Sequence, residues 1–156
     1  MSETSNAYRT VVVGTDGSES SMRAVDRAAA LAGVCGATLV IACAYLTVEL
    51  DEREMARAKD VLREEAYQLL GANPAEDTVR TAAERVDAAG VRNVKTVTVA
   101  GSPVEALLDV VRRERADLLV VGNRGLAGIK GRLLGSVPAD ATRRSECDVL
   151  VVHTTG

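Results

Sequence analysis

Five short apolar runs punctuate the chain: Arg9–Gly14 (RTVVVG), Thr38–Ala44 (TLVIACA), Val94–Val99 (VKTVTV), Leu118–Val121 (LLVV) and Asp148–His153 (DVLVVH). Four of them are apolar at nearly every position, the pattern of strands buried on both faces inside a parallel sheet. VKTVTV mixes polar with apolar residues, which suits a strand at a sheet edge. Between the runs the period changes to that of a helix. Met22, Val25, Ala29 and Ala32 make one face of a helix over Glu19–Cys35, with Ser18 placed to cap it and Gly33 and Gly36 to end it. Asp51–Leu70 reads as a charged amphipathic helix carrying Met55, Ala58, Val61, Leu62, Ala66 and Leu69 on one side; its charges are those of a solvated face. Gly71-Ala72-Asn73-Pro74 is expected to break it before a further helix over Glu76–Ala89. Ser102-Pro103-Val104-Glu105 predicts a capping box with proline at the first helical position, and Ser136–Ser145 a short last helix.

Strands alternating with helices, without repeats or linkers, predict one α/β domain over residues 1–156, a doubly wound parallel sheet with helices on both faces. In the order 3-2-1-4-5, strand 1 lies beside strand 4. Ligands of such sheets bind beyond the carboxyl ends of the strands, where the winding reverses.

Both strands that meet there end in glycine. Strand 1 runs into Gly14-Thr15-Asp16-Gly17-Ser18, a turn rich in capping residues. Strand 4 opens the stretch Asp117–Pro138 and runs into Gly122, Gly125, Gly128 and Gly131, then Gly135-Ser136 at the start of the last helix. Glycines let a ligand approach the backbone, and successive N–H groups in such a turn form a nest for an anion. The stretch reads as a phosphate cradle; a glycine-rich surface loop is the plainer alternative. It is not a P-loop, because Lys130 occupies the position where that motif has its second glycine.

Composition narrows the partners. The net charge of −3 offers no basic footprint for nucleic acid or an anionic membrane, and the absence of Phe and Trp leaves little for base stacking. No apolar run approaches the ~20 residues of a membrane span, and residues 1–8 carry no apolar stretch of a signal peptide. Cys35, Cys43 and Cys147 are scattered and odd in number, and with one histidine they make no zinc pattern. A cytoplasmic chain with reduced thiols is expected.

The spacing G-x-x-G, nine residues, G-S, set by Gly122, Gly125, Gly135 and Ser136 after a strand ending in Val-Val-Gly, resembles the ATP-binding signature of the universal stress protein family. The likeness extends from VVVGTDGS to DVLVVH. It implies a Rossmann-like, adenine nucleotide alpha hydrolase-like fold with ATP, AMP or cyclic AMP across the switch point. Carried over, Gly122, Gly125, Gly135, Ser136 and Val137 would hold phosphates, flanked by Val121, Asn123 and Arg124. Gly14, Thr15 and Asp16 would line the strand-1 side, with Asp16 either a ribose ligand or a turn residue, and the backbone of Cys43 would meet adenine. The segments GTDGS, ACAY and GNRGL are similar to those of actinobacterial members that bind cyclic AMP. Arg124, Lys130 and Arg132 are either cations for the more highly charged ATP, with which alone magnesium would enter, or solvated loop charges.

With Asp16 the one acid in the two glycine turns, a nucleotide sensor or buffer is expected rather than an enzyme; slow ATP hydrolysis and a dimeric scaffold with a vestigial pocket are the alternatives. A phosphorelay receiver would need a second acid beside Asp16, an aspartate where Gly101 stands and a lysine near His153. The last strand, Asp148–His153, is an apolar edge that needs a cover, and relatives cover it with a second copy, so a homodimer is expected.

Overall fold

The computed structural model describes residues 7–46, 72–123 and 136–154. Within them the order is β1 (Thr10–Gly14), α1 (Glu19–Cys35), β2 (Thr38–Tyr45), α2 (Ala72–Ala88), β3 (Val94–Ala100), α3 (Pro103–Glu114), β4 (Leu118–Gly122), α4 (Ser136–Arg144) and β5 (Asp148–Val152). The helix expected over Asp51–Leu70 lies outside the described residues, as do Arg124, Gly125, Gly128, Lys130, Gly131, Arg132 and Gly135.

The five strands form one parallel sheet in the order β3-β2-β1-β4-β5. Val12 sits at its centre, paired with Val40 on one side and Leu119 on the other. Side chains alternate between two cores, which explains why the central strands show no polar face. Val11, Val13, Leu39, Ile41, Leu118 and Val120 pack beneath α1 and α2. Val12, Val40, Leu119 and Val121 pack beneath Leu107, Leu108 and Val111 of α3 and Val137 and Ala141 of α4. The mixed strand β3 is an edge, with Lys95 and Thr96 exposed. At the other edge, Val149, Leu150 and Val151 of β5 are only partly covered.

Two local expectations are corrected. Helix α2 begins at Ala72, so Pro74 lies inside its first turn instead of breaking the chain before it. The first four N–H groups of a helix have no partner within it, so a ring without N–H costs nothing there. At α3, Ser102 occupies the N-cap and Pro103 follows, but the Ser102 side chain makes no capping hydrogen bond. Glu105, which would complete the box, instead accepts from the Arg144 guanidinium of α4. By contrast Ser18 caps α1 as expected, its hydroxyl accepting the Ser21 N–H.

Candidate functional site

Because every helix runs back against the strands, α1, α3 and α4 all start at the carboxyl end of the sheet. Their N-termini carry partial positive charge and surround the point where β1 and β4 diverge. A cavity opens there, with about 500 Å³ of empty space including its mouth.

Its walls differ in chemistry. Gly14, Ala42, Ala44, Pro103, Leu107, Val121 and Val137 make an apolar slot, and Thr15, Asp16, Ser18, Ser20 and Ser21 a polar wall. The slot depends on Gly14: a Cβ there would stand 2.8 Å from Leu107 Cδ1, so only glycine lets α3 close the floor this tightly. The polar wall is a relay of hydroxyls. Ser21 Oγ donates to the Ser18 carbonyl (3.0 Å) and accepts the Asp16 N–H (3.3 Å). With that proton committed, the 2.8 Å bond between Thr15 Oγ1 and Ser21 Oγ must be donated by Thr15. Thr15 Oγ1 in turn accepts the Gly17 N–H (3.1 Å), and the Thr15 N–H donates to the Ala42 carbonyl (2.9 Å). Thr15 is only 5% exposed, yet all its polar atoms but the carbonyl are engaged in holding this turn. Asp16 takes the turn role expected of it, Oδ1 accepting the Ser18 N–H (3.0 Å), and the residue also lines the cavity.

Sequence reasoning singled out twelve residues. The structure brings Gly14, Thr15, Asp16, Val121, Gly122 and Val137 together around the cavity. Ser136 begins α4 beside them. Asn123 follows Gly122 just outside the lining, and Arg124, Gly125 and Gly135 lie outside the described residues. The Cys43 side chain faces away, into the core beneath α1 and α2, 6% exposed. Burial, and then the charge of Asp16, pushes its thiol up to about 11. Its neighbour Ala44 is better placed. The Ala42 carbonyl faces β1, where it receives the Thr15 N–H, and the Tyr45 carbonyl faces β3, where it receives the Gly101 N–H. Backbone direction alternates along a strand, so the N–H and C=O of Ala44 face the β1 side beyond the last β1 pairing, Gly14 with Ala42.

Three kinds of lining residue were missed. Ser20 and Ser21 were visible as part of a serine-rich cap segment, and Ala42 and Ala44 follow from strand alternation. Pro103 and Leu107 reach the site from α3 by tertiary packing, which leaves no local signal. Among the described residues, no group of three or more His, Cys, Asp or Glu side chains is gathered to hold a metal ion.

The sequence profile of the universal stress protein family matches residues 7–153. A universal stress protein of Mycobacterium tuberculosis is 55% identical over 150 residues, covering 96% of this chain and 99% of that protein. A solved universal stress protein in complex with cAMP is 52% identical, with a TM-score of 0.74 over 96% of this chain and 99% of its own. A universal stress protein from Lactobacillus plantarum shares the fold at 22% identity, with a TM-score of 0.73 over 93% of this chain and 97% of its own. The chain belongs to the universal stress protein family.

Proposed function

We propose that the cavity between β1 and β4 binds an adenine nucleotide, with cyclic AMP the preferred ligand and ATP the alternative. One observation carries this reading: an apolar slot and a hydroxyl wall meet at a switch point ringed by three helix N-termini. The base enters the slot over Leu107 and Val137, where the Ala44 N–H and C=O offer one donor and one acceptor to its edge. Asp16 accepts ribose hydroxyls through Oδ2, which has no hydrogen-bond partner among the described residues. Phosphate lies toward Gly122 and the start of α4; Gly125 and Gly135, which with Gly122 and Ser136 make up the family's signature in sequence, lie outside the described residues, as does Arg124. The likeness to a relative solved with cAMP supports the cyclic nucleotide.

The protein acts as a nucleotide sensor or buffer and not as an efficient catalyst. Asp16 is the one carboxylate lining the cavity among the described residues, so a magnesium ion would have to arrive with ATP and rest chiefly on its phosphates. All three cysteines are free thiols, which fits the reducing cytoplasm in which such a binder would work. The half-covered apolar edge of β5 is covered by β5 of a second copy, so light scattering at micromolar concentration should report a dimer. Calorimetric titration with cyclic AMP, and separately with ATP and magnesium, tests the ligand. Tight cyclic AMP with weak ATP supports the reading, the reverse order makes it an ATP binder, and binding of neither overturns it.

A further inference from the structure

Beyond the cavity wall lies a second hydroxyl cluster that joins three distant pieces of chain. Thr154, two residues past β5, is 3% exposed, and with Thr15 it is one of two buried polar residues among those described. Its N–H and its Oγ1 each lie 2.9 Å from Asn123 Oδ1, and both must donate, because a carbonyl oxygen can only accept. With the Thr154 proton committed to Asn123, the 2.5 Å contact between Ser20 Oγ and Thr154 Oγ1 must be donated by Ser20. The chain of protons therefore runs from Ser20 to Thr154 to Asn123. Arg23 Nη1 donates to the Thr154 carbonyl at 2.6 Å, and the Asn123 N–H donates to the Val152 carbonyl at 2.9 Å. Thr154 Cγ2 stands 3.3 Å from where a Cβ on Gly122 would lie.

Ser20 and Gly122 both line the cavity, and Thr154 stands against both. We infer that Thr154 is a positioning residue for the ligand, setting the separation between the first turn of α1 and the Gly122-Asn123 turn through the Ser20–Thr154–Asn123 hydroxyl relay. This rests on the nucleotide reading of the cavity and deepens it. The relay makes a specific demand. The hydroxyl is needed both to accept from Ser20 and to donate to Asn123, whereas the methyl only fills space against Gly122. Without the hydroxyl, the Ser20 proton loses its acceptor and turns into the cavity, and Asn123 keeps only the backbone donor.

Isosteric Thr154→Val removes the hydroxyl and keeps the shape; Thr154→Ser keeps the hydroxyl and removes the methyl. Cyclic AMP affinity is measured by calorimetry for the wild type and both variants, and ligand-free melting temperature for each. Thr154→Val should bind about tenfold more weakly, the effect of one hydrogen bond, and Thr154→Ser within about threefold of wild type. Both should melt about 2–4 °C below wild type, as ~1 kcal/mol implies for a domain of this size. Affinity that follows the hydroxyl while stability does not supports positioning. Equal affinity in Thr154→Val and wild type overturns it, as does equal weakening in both variants, which would make Thr154 a filler. A wild type that binds no nucleotide overturns the function as well, and differs from the other failures because it shows before any substitution.

Discussion

At the amino ends of β1 and β4, the carboxylate of Asp117 accepts the N–H groups of Arg9 (2.9 and 3.2 Å) and Thr10 (3.0 Å), and nearby Tyr8 donates to Asp148 (3.0 Å). At the carboxyl ends of the same two strands, loose backbone is tied by hydroxyls and an amide: Thr15, Ser18, Ser20, Ser21, Asn123 and Thr154. Both ends must satisfy the same kind of exposed strand terminus. One does so with the Asp117 carboxylate on two strand-end N–H groups; the other does so mainly with neutral hydroxyls and an amide, beside the Asp16 carboxylate on the Ser18 N–H and Arg23 on the Thr154 carbonyl, and opens into the cavity. The N-termini of α1, α3 and α4 point to this second end, where their partial positive charge favours an anion. The same topology thus provides a structural end and a receptive end, and side-chain chemistry decides which is which.

The contrast can be broken by substitutions at either end. Asp117→Ala should cost the most stability, about 3 kcal/mol in urea unfolding, because a part-buried N–H loses a charged acceptor. Nucleotide affinity should be unchanged, and a matching loss of affinity would show that the two ends are not independent. Next in size is a pH effect at Cys43, the thiol beneath the receptive end. An unfolded thiol ionises near 9 and this one near 11, so its contribution is complete below pH 9 and is lost as pH rises toward 11. The wild type should lose about 2 kcal/mol over that interval that Cys43→Ala does not. Gly122→Ala comes third. Its Cβ would press on Thr154 Cγ2 at 3.3 Å, so affinity for cyclic AMP should fall at least tenfold, about 1.4 kcal/mol, with stability reduced by less than about 1 kcal/mol. Lys95→Ala, which removes an exposed ion pair with Glu114 on the β3 edge, should change stability by no more than about 0.5 kcal/mol and affinity not at all.

Much of this was legible without coordinates. VVV in β1 and LLVV in β4 announce strands buried on both faces, because a parallel sheet clad by helices leaves no polar side. The polar alternation of VKTVTV announces an edge for the complementary reason. Ser18 was readable as a cap, since capping is local. Pro74 was not readable as the third residue of a helix, because a breaker and a first-turn proline carry the same local signal. Ser102 followed by Glu105 has the form of a capping box, yet Arg144 from α4 claims the carboxylate, and no local pattern contains that competitor.

The site divides along the same line. Gly14, Asp16 and Gly122 at the two strand ends are set by neighbours in sequence, so the chain itself marked the turns that line the cavity. Which strand-2 residue faces that cavity depended on the pairing of Gly14 with Ala42, which turns Cys43 into the core and leaves Ala44 at the opening. Leu107 over Gly14, and Thr154 between Ser20 and Asn123, are contacts across about 90 and 134 residues of chain. Periodicity and capping report only interactions within a few residues; long-range packing alone decided what closes the slot and what holds its two walls apart.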